Sequence, residues 1–217
     1  MKGRFSSHIF WGAHSPLSAL SGTALIILAS SRFSFAIICS GALIWVFGLT
    51  VLVYSCAHSV LPSCLPSRGR MVIMLFLSSF FCGIFAIIIS LLNPLLILGS
   101  VFFLVLVPPW CMSTGFFEAV ESLYPFEAIS RALLEAVVFS GVILAISLIR
   151  EPLGMGTISI PGSSQGIIEI YVGQNDETFL PGRILSISAG GLLLFGYVIA
   201  VYRYFRDRSG NVSREQR

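Results

Sequence analysis

Six apolar windows, at about 8–30, 34–57, 70–92, 95–123, 130–150 and 183–205, fill most of this chain and are separated by short Pro, Gly and Arg punctuation. An apolar stretch of roughly 20 residues crosses a bilayer as a helix, because lipid offers the backbone no partners and every amide must be satisfied internally. Composition points the same way: 56% of residues are hydrophobic and 11% charged, against roughly 25% charged in a soluble domain. With 217 residues in all, six spans leave no room for a soluble catalytic domain beside them. The expected fold is all-α, a polytopic membrane protein with a single integral domain over 1–205. A basic cytoplasmic tail at 206–217 is expected to be disordered. The expected surroundings are membrane lipid, with no nucleic acid.

Two windows differ from the rest. The first is interrupted at Gly12-Ala13-His14-Ser15-Pro16 and the fourth at Pro108-Pro109, whereas the other four read as continuous. Proline lacks the backbone donor and its ring clashes with the preceding turn, so each step breaks a helix. The order broken, whole, whole then repeats, which predicts two halves, about 8–92 and 95–205. Three spans per half make the second half inverted relative to the first, and broken helices in corresponding positions point to a site at the repeat interface.

The breaks carry the residues that suggest chemistry. Cys111 follows Pro108-Pro109-Trp110, and a thiolate at the end of a half-helix suits iron or zinc, with thiolates favoured by iron–sulfur clusters. The alternative reading of Cys111 is a packed thiol at a kink. His14 and Ser15 are the polar groups of the first break; His14 is either a ligand or a hydrogen-bonded residue near a helix end. Cys39, Cys56, Cys64 and Cys82 lie along mostly apolar segments and read as small hydrophobes. Carboxylates inside a membrane are costly and mark ion paths. Glu118 and Glu121, three apart on one helix face, and Glu135, more than a turn inside the fifth span, are the ion-path candidates. For Glu118 and Glu121 a solvated position at the inner boundary is the competing reading. Arg150-Glu151-Pro152 reads as an adjacent ion pair and a helix stop.

Positive charge sets the orientation. With the amino terminus inside, Lys2, Arg4, Arg68, Arg70, Arg131, Arg203, Arg206, Arg208, Arg214 and Arg217 are cytoplasmic, and only Arg32, Arg150 and Arg183 are external. That excess predicts both termini in the cytoplasm. The long connection at about 151–182 is then external, and its Thr157-Ile158-Ser159-Ile160 and Ile167-Ile168-Glu169-Ile170-Tyr171-Val172 are either short interfacial strands or apolar loop on the bundle.

Four stretches together resemble a family. Trp11-Gly12-Ala13-His14-Ser15-Pro16-Leu17 is similar to a Gly-x-Cys-Pro break, and Val105-Leu106-Val107-Pro108-Pro109-Trp110-Cys111-Met112-Ser113-Thr114-Gly115 to a Thr-Asn-Cys break. Leu148-Ile149-Arg150-Glu151-Pro152-Leu153-Gly154-Met155-Gly156-Thr157 is similar to an Arg-Glu-x-x-Gly-x-Gly-Thr stretch, and Leu180-Pro181-Gly182 precedes the last span. The family is that of the Rnf and Nqr membrane subunits, and the likeness is greatest to the E subunit of Rnf complexes and the D subunit of sodium-translocating NADH:quinone oxidoreductase.

The resemblance implies a subunit of an ion-translocating oxidoreductase in a bacterial inner membrane, relaying electrons across it with sodium or proton movement. It also implies a homologous membrane subunit of opposite orientation as partner, flavin or iron–sulfur subunits on either side, and a 2Fe-2S cluster shared with that partner. Cys111 stands at the family's second cysteine, while Ser15, beside His14, stands at the first. Pro109-Trp110 replaces the family's Thr-Asn. Two further readings stay open: a structural or ion-path subunit without a redox centre, and a small-solute transporter on the same inverted repeat.

Overall fold

The computed structural model describes residues 20–60, 67–113, 125–162, 167–171 and 183–215. The elements are α1 (Leu20–Ala29), α2 (Phe33–Val60), α3 (Ser67–Leu92), α4 (Pro94–Leu104), α5 (Val107–Ser113), α6 (Pro125–Met155), β1 (Thr157–Pro161), β2 (Ile167–Tyr171), α7 (Arg183–Ser186) and α8 (Ser188–Glu215). The protein is mostly helical. Among the described residues four stretches are long and apolar enough to cross a membrane: Phe33–Cys56, Val72–Leu92, Pro94–Met112 and Phe126–Met155. Of the first window only α1 lies among the described residues, and the apolar part of α8, Ser188–Val201, is shorter than a full span. The apolar helices mark a membrane protein.

The closest packing is between α2 and α6. Both helices carry small buried residues, Ala36 and Ala42 on α2 and Ala128, Ala132 and Ala136 on α6. Without a large hydrophobic drive between helices in lipid, association depends on close van der Waals approach, which small residues permit. At Gly48 an added Cβ would meet Leu133 at 3.1 Å, so this pair is near its minimum separation. By contrast α3 turns most of its length outward, with Phe76 and Phe80 exposed.

Three sequence expectations change. The last window, read as continuous, is interrupted at Ile187 between α7 and α8. The turn there is crowded by Gly154, where an added Cβ would lie 2.9 Å from the Ser186 amide nitrogen. The Arg150-Glu151-Pro152 step does not stop its helix. Proline's missing donor costs one bond, yet α6 runs to Met155, closed by a bond from the Gly156 amide to the Pro152 carbonyl at 3.0 Å. The helix ends where Gly156 takes φ 69°, a conformation that favours glycine. Finally, the basic tail expected to be disordered continues the α8 backbone as helix through Glu215.

Of the two readings of the long connection, the strands are what forms. β1 and β2 pair antiparallel, with Ile158 opposite Ile170, Ser159 opposite Glu169 and Ile160 opposite Ile168.

Candidate functional site

The fourth window is built around its proline step. Asn93 caps α4, accepting from the Leu95 and Leu96 amides at 3.1 and 3.4 Å, and Pro94 fills the first turn, where a missing donor costs nothing. After a two-residue turn at Val105-Leu106, Pro108 and Pro109 again fall in the first turn of α5. The interruption therefore kinks one span, Pro94–Met112, rather than leaving two facing half-helices. Pro108 still deprives the Leu104 carbonyl of its partner four residues on. The Cys82 thiol of α3 donates to that oxygen at 3.2 Å. The helical ladder resumes with the Trp110 amide on the Leu106 carbonyl at 3.1 Å.

Trp110 and Cys111 are fully buried. The indole stacks on Phe139 of α6 with centroids 4.5 Å apart and meets Phe47 of α2 edge-on at 5.6 Å. Offset and edge-on pairs of this kind lock orientation beyond simple burial. Cys39, Cys82 and Cys111 are all buried free thiols. Among the described residues no three His, Cys, Asp or Glu side chains converge as metal ligands. Half-buried Glu135 is one turn before Phe139 on α6, a rise of about 6 Å between the two positions. Arg131, one turn earlier again, interacts with it electrostatically. His14, Ser15, Glu118 and Glu121 lie outside the described residues.

The densest polar site is elsewhere, at the end of α6. Arg150 is fully buried, and its guanidinium spends all five donors. Nε donates to the Leu185 carbonyl at 2.7 Å, Nη1 to the Ile27 carbonyl at 2.7 Å and Ser30 Oγ at 3.2 Å, and Nη2 to the Ser186 and Ile187 carbonyls at 3.3 and 3.0 Å. The oxygens of Ile27, Ser30, Leu185 and Ser186 belong to the ends of α1 and α7, where the last carbonyls lack intrahelical partners and a cation is favoured, while the Ile187 carbonyl also accepts from the Gly191 amide at 3.1 Å. Gly191 leaves room for the group: an added Cβ would come within 2.9 Å of Cζ.

Glu151 plays the complementary part at an amino-terminal end. Its Oε2 accepts from the Phe33 amide at 2.5 Å, and Ser159 Oγ accepts from the Ser34 amide at 3.2 Å. Two side chains more than a hundred residues away thus cap α2, and the carboxylate sits where the helix dipole favours it. Arg150 and Glu151 do not pair with each other, because neighbours on a helix point about 100° apart.

Sequence reasoning missed Cys82, Asn93, Ser159 and Gly191. Only Asn93-Pro94 carried a local signal, that of a cap residue followed by proline. No protein-family model matches the chain, and no curated protein matches its sequence.

Proposed function

We propose that this chain is an integral membrane subunit of an Rnf/Nqr-type ion-translocating electron-transport complex. It has six crossings in two inverted halves and works beside a homologous membrane subunit and flavin or iron–sulfur subunits. The observation that carries this reading is the Arg150-Glu151-x-x-Gly154-x-Gly156-Thr157 stretch. It is the most specific part of the resemblance, and its charged residues and glycines each hold the fold at a definite point. Arg150 and Glu151 tie helix ends, Gly154 admits the α7 backbone and Gly156 turns the chain into β1.

Within that reading, a subunit that keeps the fold and the ion path without carrying electrons is favoured by the burial of Cys111. A cluster shared between two subunits needs its ligands at their interface. Cys111 is instead fully buried within this chain, so a 2Fe-2S cluster shared with a partner does not fit it. On this reading Glu135 offers a carboxylate to a coupling cation or proton. Affinity purification from native membranes tests both levels. Flavin and iron–sulfur subunits should co-purify, and a protein that purifies alone and takes up a solute would overturn the complex. Cys111→Ser should leave the iron content and cluster signal of the complex unchanged; their loss would restore the redox reading.

A further inference from the structure

The β1–β2 hairpin is built with its polar side inward. Thr157 and Ser159 are buried, Ser159 is bonded to the start of α2, and Glu169 pairs with Arg32 at 2.9 Å. By strand alternation and register, Ile158, Ile160, Ile168 and Ile170 share the opposite face. Three of these four isoleucines are exposed, Ile160 at 39%, Ile168 at 54% and Ile170 at 49%. A hairpin in water would present the reverse pattern, hydrophobic in and polar out.

The level of the hairpin says what covers that face. Asn93 Nδ2 donates to the Gly162 carbonyl at 2.7 Å, pinning the end of β1 to the turn between α3 and α4. The Arg32–Glu169 pair pins β2 beside the first residue of α2, and β1 begins two residues after α6 ends. The hairpin is therefore level with the ends of four helices and does not project beyond them. Leu91, Leu92 and Leu95, which flank the Asn93 turn at the ends of two candidate spans, are exposed at the same level.

We infer that the isoleucine face is a membrane-interface anchor, resting on the acyl chains of the lipid around this end of the bundle. A two-stranded sheet has outer edges with unpaired backbone groups, which the hydrocarbon core does not tolerate. The hairpin thus lies at headgroup depth with only its side chains in the acyl layer, and the Arg32–Glu169 pair stays among the headgroups. This inference rests on the membrane reading of the chain.

Photocrosslinking tests it. The full chain would carry p-benzoylphenylalanine in place of Ile168, Ile170, Glu169 or Phe76, in cell membranes and in vesicles of phosphatidylethanolamine and phosphatidylglycerol. Irradiation should add the mass of a phospholipid at positions 168 and 170, as at the outward Phe76 of α3, and in lower yield at 169. A crosslink from 168 or 170 to another protein or a second copy would overturn the inference in favour of a protein interface. Lipid adducts at 76 without any at 168 and 170 would overturn it while leaving the membrane reading intact. Adducts at none of the four would overturn both.

Discussion

Arg150 shows how much one side chain can hold when its donors are all spent on backbone and a neighbouring hydroxyl. Lysine at that position keeps the charge but offers three donors in place of five. At least two of the five bonds to Ile27, Ser30, Leu185, Ser186 and Ile187 would then be lost, and of these acceptors the Ile187 carbonyl keeps a second partner in the Gly191 amide. An unsatisfied buried polar group costs about 1–3 kcal/mol, and partners found in the membrane-unfolded state reduce that. Arg150→Lys should therefore destabilise by about 1–4 kcal/mol, read as a lower unfolding midpoint in detergent, and unchanged stability would contradict the five-bond geometry. The same full occupancy leaves the guanidinium no donor for an anionic ligand, so the residue is a tie and not a binding group. Adjacency in the chain suggests that Arg150 and Glu151 pair with each other. Their partners instead lie about 35 and 120 residues away along the chain, a separation that no local pattern encodes.

Helices were legible where hydropathy alone decides them. The windows at 34–57, 70–92 and 130–150 match α2, α3 and α6 because an apolar run in lipid has one outcome. Breaks were less legible, since proline acts according to where it falls in a turn. Pro108 and Pro109 sit at the start of α5, where the Cys82 thiol makes good the bond Pro108 cannot give, and the break shrinks to two residues. The interruption at Ile187 has no proline, and the Ser186 and Ile187 carbonyls there accept from Arg150. One consequence of the α4–α5 kink is measurable. Cys82→Ala should cost about 1 kcal/mol by stranding the Leu104 carbonyl. In a Pro108→Ala background the restored amide can take that carbonyl, so the cost of Cys82→Ala should shrink, and strictly additive effects in the double-mutant cycle would contradict the assignment.

At the scale of the whole molecule, the ends of α1, α6 and α7 and the starts of α2 and the hairpin meet in one polar knot, while the aromatic cluster of Phe47, Trp110 and Phe139 joins α2, α5 and α6 at mid-length of α2 and α6. From Arg183 to Val201 the chain has a helical reach of about 28 Å, close to the roughly 30 Å of a bilayer's hydrocarbon. A reporter fused after Arg217 and one inserted between Gly162 and Ile167 should thus report from opposite sides of the membrane. Reporters on the same side would mean that α8 lies along the surface. The knot also bears on biogenesis. As the chain leaves the ribosome, the Ile27 carbonyl enters the membrane 123 residues before its donor exists, and Arg150 then waits a further 35 residues for Leu185. Until the last segment arrives, Arg150 has only part of its shell. The packing of α1 against α6 is accordingly provisional, and a chain that stops before Arg183 should be cut by protease faster than the full chain.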